Sequence, residues 1–221
     1  MGIIIAIVGK AGHGKDTLAD LIIEKYSQKH TELKGNRLER SENFRPFEKR
    51  RFAEGVKATC AAITGYPVSV FHDRARYSDT IKSLNRMTLR ELMQKVGQGL
   101  RTEVSNDIWV SSALNRVKYN DNVIFVDTRY PNEIEGVRSV GGKIIHVVRP
   151  NYIDPTLENE ESKNHISETA LNGYDIKPDE YILNTSLEAL EEYTNNYLID
   201  KILEWENNSN SDRQYPKEET P

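Results

Sequence analysis

The stretch Gly9-Lys10-Ala11-Gly12-His13-Gly14-Lys15-Asp16-Thr17 concentrates the clearest chemistry in the chain. Glycine, four residues, glycine and lysine make a loop whose backbone N–H groups can turn inward around phosphate oxygens. Lys15 adds a full positive charge between the β- and γ-phosphates of a nucleoside triphosphate. Gly12 keeps the crown of the loop free of side-chain bulk. The usual pattern continues with Ser or Thr, whose hydroxyl meets Mg2+, but this chain has Asp16. A carboxylate is a harder magnesium ligand than a hydroxyl, which makes Asp16 a metal candidate. The alternative is a residue that merely favours the helix dipole. Thr17 offers a hydroxyl about 100° further around a helix. His13 is either a phosphate contact or a plain loop residue.

Such a loop works only between a strand and a helix, and both flanks are predicted. Ile3–Val8 is a continuous apolar run rich in β-branched residues, as in a parallel strand covered on both faces. From Lys15 to Lys29, Leu18, Leu21, Ile22 and Tyr26 recur at helical spacing. The helix would aim its N–H groups and positive dipole end at the loop. Further on, Val123–Val126, a helix from Pro131 to Val140, a stop at Gly141-Gly142 and Ile144–Val148 form a clear βαβ unit. A short strand end at Phe52-Ala53 leads into a helix. Helices are predicted over 87–104, with Thr88 and Glu91 in capping-box spacing, and over 106–119, with Asn106 or Asp107 as cap. Residues 181–185 fit a last short strand, and Ser186 caps a closing helix from Leu187 to about Trp205.

Strands alternating with helices imply a parallel α/β sheet with helices on both faces. Ligands of such sheets bind at the carboxyl ends of the strands. The conspicuous polar residues fall there: the loop after Val8, Asp127 and Arg129 after Val126, Arg149 after Val148, and Asn184 after Leu183.

The 221 residues suit one domain of ordinary size, expected over 1–205. Residues 30–51, rich in Arg37, Arg40, Arg45, Lys49, Arg50 and Arg51, read as a basic excursion on the surface. Residues 150–180 show little periodicity and read as a lid, and 206–221 as a disordered tail. A net charge of −4 gives no global attraction to nucleic acid polymers. The single Cys60 excludes an intramolecular disulfide and a cysteine metal cluster, in keeping with a reducing cytoplasm. No apolar run reaches the roughly 20 residues of a membrane span, and the apolar start lacks the basic leader of a secretion signal.

The loop ending in "GKDT" resembles that of the deoxynucleoside monophosphate kinases of tailed bacteriophages, a branch of the P-loop nucleotide kinases. "RFAEGVKATCAAITG" is similar to a family segment in which a strand end leads to a lysine-bearing helix, here with Lys57. "LRELMQKVGQGLRTEVSNDIWV" resembles the family's Leu-Met-Gln helix and the Asp/Trp segment after it. "FVDTRYPNEIEGVRSVGGKIIHVVRP" carries its Asp-x-Arg and Val-x-Arg-Pro strand ends, and "HISETAL" with "YILNTSLEAL" its closing pattern. These stretches cover most of residues 1–190 in the expected order.

The resemblance implies a three-layer P-loop sandwich on a parallel sheet of about five strands, with a lid or insert. It implies transfer of the ATP γ-phosphoryl group to a deoxynucleoside monophosphate with Mg2+, in the cytoplasm, the host's if the source is a phage. ATP would meet residues 9–17 and Arg149, the latter as a candidate to stack on adenine. Lys15, Arg129 and Arg101 are the catalytic candidates, since planar guanidinium forks match phosphate oxygens. Lys57, Arg90, Gln94, Arg101, Trp109 and Arg129 are the acceptor candidates; Trp109 offers an aromatic face and Gln94 an amide for a base edge. Asp16 and Asp127 are the metal candidates. His165, Ser167 and Glu168 resemble a lid motif, and His146 reads as a hydrogen-bonded core histidine. Two other readings stay open: a P-loop kinase acting on a coenzyme precursor or nucleoside, and an ATP-gated binding module. The family is compatible with a homodimer, which no feature of the sequence marks. Base preference and deoxyribose selection are not legible.

Overall fold

A computed structural model describes residues 2–33, 45–152 and 169–208. The expectations that fall on Arg37, Arg40, His165, Ser167, Glu168 and residues 209–221 lie outside them. The chain groups into two compact units, one drawn from residues 1–50 and 117–221, the other from 51–116.

The first unit is built on five parallel strands: β1 (Ile4–Val8), β2 (Phe47–Arg50), β5 (Asn122–Thr128), β6 (Lys143–Val148) and β7 (Glu180–Leu183). Their order in the sheet is β2-β5-β1-β6-β7. Every residue of β1 is buried, because this central strand has neighbours on both edges and helices on both faces. Ile3, Ile5 and Ile7 share one core with Leu18, Leu21, Ile22 and Tyr26 of α1 (Lys15–Leu33) and with Leu198, Ile202 and Trp205 near the C-terminus. Helix α6 (Pro131–Ser139) packs against β1 and β6 and buries Ile134 and Val137. The chain therefore adopts the expected α/β sandwich, with a five-stranded parallel sheet flanked by helices.

Two expectations about the strands need correction. The basic stretch 30–51 is not all loop: residues 30–33 extend α1, and Phe47–Arg50 form edge strand β2. Charges disguised that strand, and on a sheet edge they find partners. Lys49 meets Asp20 at 2.7 Å, and Arg50 meets Asp121 at 3.0 Å. The predicted strand end at Phe52-Ala53 lies past the strand, since Phe52 already has helical backbone. The closing helix is present and unbroken, but it carries a π-helical turn. Ser186 caps α7 (Leu187–Tyr193), a π-helical turn spans Thr194–Leu198, and α8 (Ile199–Asn208) follows. The Thr194 hydroxyl donates to the Leu190 carbonyl at 2.7 Å at the start of the wide turn. The wider turn brings Leu190, Leu198, Ile199 and Ile202 all into the core. Helix α8 also runs into the expected tail, where Glu206 accepts from the Tyr26 hydroxyl at 2.8 Å.

The second unit holds α2 (Ala53–Thr64), α3 (Val68–His72), the antiparallel pair β3 (Thr80–Ile81) and β4 (Met87–Thr88), α4 (Leu89–Glu103) and α5 (Ile108–Leu114). Its core gathers Cys60, Val70, Phe71, Ile81, Leu89 and Leu92. Burial pushes the Cys60 thiol up to about 11, so it is an inert core group. The predicted capping box is present, with Glu91 N–H donating to Thr88 Oγ1 and Thr88 N–H to Glu91. Helix α5 is shorter than predicted, and Asp107 stands at its N-cap position without a side-chain cap bond.

Candidate active site

The phosphate loop leaves β1 at Val8 and re-enters helix at Lys15. Gly12 and Gly14 have left-handed backbone, with φ of 73° and 93°. A Cβ on Gly12 would lie 2.0 Å from the Tyr152 ring, and one on Gly14 would lie 2.4 Å from Asn184 Nδ2. Asn184 is buried at the end of β7, and its amide donates to the His13 carbonyl at 3.0 Å. The strand end β7 thus braces the loop from beneath, a role for Asn184 that its position alone did not reveal.

Lys15 is buried, and its ammonium donates to the carbonyls of Gly9 at 2.7 Å and Lys10 at 2.8 Å. The cation is held inside the loop, where phosphate oxygens are better acceptors than neutral carbonyls. Asp16 is half-buried in the first turn of α1, while Thr17 is exposed. His13 is buried rather than displayed, and its Nδ1 has no hydrogen-bond partner among the described residues. Burial holds its pKa below the ordinary value. A bond to the Val147 carbonyl opposes this, and the charges of Lys15, Lys10 and Arg149 reinforce it. His146 is half-buried and packs edge to face on Tyr181 at 5.4 Å. Its pKa is also lowered, by burial and then by His13. Arg149 is exposed and stacks its guanidinium on the Tyr152 ring, 4.6 Å from the centroid.

Beside the loop, β5 carries an irregularity. Ala6 pairs with Phe125, but Val8, two residues on, pairs with Thr128, three residues on. The extra residue falls next to Asp127, which is half-buried within the strand rather than after it. Arg129 follows, half-buried. Its backbone N–H donates to Glu133 Oε2 at 2.7 Å, and that of Tyr130 to the same oxygen at 3.1 Å. Glu133 is therefore a buried carboxylate that fixes the exit from β5. The signal for it was local: Pro131 at the first helical position, with a glutamate in the first turn.

In the second unit, Arg90, Gln94 and Arg101 recur at helical spacing along one stripe of α4. Arg90 is exposed and Gln94 half-buried. Arg101 lies within the last turn of the helix, not beyond it, and reaches the Asn106 carbonyl at 3.4 Å. Trp109 corrects the acceptor reading. Its indole is buried and its N–H donates to the Gly97 carbonyl at 2.9 Å, so it packs α5 on α4 and offers no open face. Lys57 is buried on α2, with Nζ 3.2 Å from His72 Nδ1. Nε2 of His72 lies 3.3 Å from Glu54. Neither His72 nor Glu54 was marked by the sequence.

Among the described residues no three His, Cys, Asp or Glu gather around one point, and no helix is long and apolar enough to cross a membrane. A parallel sheet with a glycine loop and buried lysine at its carboxyl edge is that of a P-loop kinase. Residues 49–194 match the family model described as deoxynucleotide monophosphate kinase. The chain belongs to the deoxynucleotide monophosphate kinase family. It is a nucleotide kinase, a class that uses ATP and a divalent metal. The readings as a coenzyme-precursor kinase or an ATP-gated module give way to this one. No curated protein matches the chain. The matched stretch begins beyond the phosphate loop, so loop geometry and family membership are independent observations.

Proposed function

We propose that the chain transfers the γ-phosphoryl group of ATP to a deoxynucleoside monophosphate, giving the diphosphate, and does so with Mg2+. The observation that carries this reading is the buried Lys15 ammonium, held by the Gly9 and Lys10 carbonyls in a loop with left-handed Gly12 and Gly14. Residues 9–17 bind the triphosphate, and Arg149 stands by for the adenine. When bound, Mg2+ neutralises charge on the phosphates. Asp16 and Asp127 are the residues that would hold it, since Mg2+ needs only one or two carboxylates.

Phosphoryl transfer asks for in-line placement and charge stabilisation more than for covalent help. Lys15 draws charge toward the transferred group's bridging side. Arg129, its backbone fixed by Glu133, aims a guanidinium at the transferring group. On the second unit, Lys57 and Arg101 are the groups for the acceptor phosphate, and Gln94 and Arg90, nearer the start of α4, are the groups for the rest of the nucleotide. We propose one kinase domain over 1–205. Incubating the protein with ATP, Mg2+ and each deoxynucleoside monophosphate, then resolving the diphosphates, tests the reading. Product is expected with at least one base, and no product with any refutes it.

A further inference from the structure

We propose that Tyr152 is a positioning residue for the donor nucleotide: its ring, seated on Gly12 at the crown of the phosphate loop, holds the Arg149 guanidinium beside that loop. The proposal rests on the reading of Arg149 as an ATP ligand.

Arg149 follows the carboxyl end of β6, and Pro150-Asn151 then turn the chain. Proline presets its own φ, and Asn151 takes a left-handed φ of 57°, which asparagine tolerates better than most residues. The turn brings Tyr152 back to Arg149, whose guanidinium carbon lies 4.6 Å from the ring centroid. The same ring meets the phosphate loop. A Cβ on Gly12 would lie 2.0 Å from Tyr152 Cε1, 2.7 Å from Cζ and 2.8 Å from the hydroxyl oxygen. The hydroxyl edge of the ring therefore rests where only glycine leaves room. One side chain ties the end of β6 to the loop, and both belong to the first unit. The Arg149 charge reaches into the loop as well, since it is among those that lower the His13 pKa.

This contact is poorly placed to stabilise the fold. Arg149 and Asn151 are exposed and Tyr152 is half-buried, and a cation–π contact that open adds little to stability. It is well placed to prepare a ligand. A ring holds a guanidinium by its face and does not use the in-plane N–H donors, which are the ones that match phosphate oxygens or a base edge. A carboxylate in the same place would engage those donors. A free arginine side chain also loses much rotamer freedom when it binds, and stacking on the ring removes part of that freedom beforehand. Gly12 thus has a second use beyond clearing the crown of the loop: it is the seat for the ring.

The test follows ATP in two ways, alongside thermal melts: calorimetry with a non-hydrolysable ATP analogue, and steady-state kinetics with ATP varied at a saturating deoxynucleoside monophosphate. Tyr152→Leu keeps an apolar side chain on Gly12 but removes the π face. It is expected to raise the analogue Kd and the KM for ATP roughly three- to tenfold, the scale of one lost cation–π contact. Turnover at saturating ATP, the acceptor KM and the melting temperature should stay near wild type. Tyr152→Phe keeps the π face and should recover wild-type affinity. In an Arg149→Met background, Tyr152→Leu should add nothing, because it acts through the missing guanidinium. Wild-type or tighter ATP affinity in Tyr152→Leu, an equal further loss in the Arg149→Met background, or a Tyr152→Phe affinity as poor as that of Tyr152→Leu overturns the proposal. A loss in Arg149→Met with none in Tyr152→Leu overturns this proposal alone. If Arg149→Met leaves ATP affinity unchanged, the reading of Arg149 as an ATP ligand fails and this proposal falls with it. Should Tyr152→Leu fold poorly, Tyr152→Met carries the same comparison.

Discussion

Asn184 is the side chain on which the shape of the phosphate loop most directly depends. Its amide donates at 3.0 Å to the His13 carbonyl, and its Nδ2 occupies the space that a Cβ on Gly14 would enter. Replacing Asn184→Ala leaves a buried carbonyl without that donor, a loss of about 1–3 kcal/mol. If the loss falls on the loop alone, the nucleotide-ready loop is depopulated by roughly 5- to 150-fold, and the KM for ATP rises accordingly. Turnover at saturating ATP should change far less, since bound nucleotide reorders the loop. Gly14→Ala is damaged for two reasons: a left-handed φ of 93°, and a clash 2.4 Å from that amide. The left-handed backbone costs about 1–2 kcal/mol whatever the neighbour. The clash disappears once Asn184 is alanine. The double variant should therefore bind ATP better than the sum of the two single losses predicts. Coupled-assay KM values and melts with and without ATP measure all four corners of this cycle. Strict additivity, or an unchanged KM for ATP in Asn184→Ala, refutes the bracing role.

The loop, the central strands and the βαβ unit were legible because each is written in local pattern. Val8 to Lys15 joins an apolar run to glycines at the positions where left-handed backbone is needed, and only one backbone solution suits both. Strand β2 was not legible, because an edge strand holds its place by backbone pairing to β5 while its side chains look like a solvated loop. The π-helical turn hid in an ordinary helical sequence, since it reflects a phase shift imposed by the core. At the site, residue type identified the phosphate-binding lysine and the arginines at strand and helix ends. It could not identify partners brought from afar. Asn184 lies 171 positions from His13, and His72 lies 15 from Lys57, so only the fold pairs them. Trp109 misled because an indole suits a base and a core equally well, and its burial decides between them.

Three further outcomes follow from the site. Asp16→Asn should raise the Mg2+ concentration needed for half-maximal turnover severalfold with little change in melting temperature; a magnesium titration that overlays wild type removes Asp16 from the metal. Arg129→Lys keeps a charge but loses the planar fork, and turnover should fall about a hundredfold or more in a folded protein; wild-type kinetics would demote Arg129 to structure. The last outcome concerns pH. His13 has a folded-state pKa below its ordinary 6.5, chiefly through burial, and His146 shifts the same way. Between the folded and unfolded values the unfolded chain binds more protons, so stability rises with pH across that window. The stability is fully present above about pH 6.5 and is lost as the pH falls through the lowered folded value. His13→Gln cannot titrate there, so its melting temperature should fall less steeply than wild type below pH 6.5, with His146 accounting for the residual slope. Parallel curves for the two proteins between about pH 7 and 5 would show that the His13 imidazole is not held neutral by its burial.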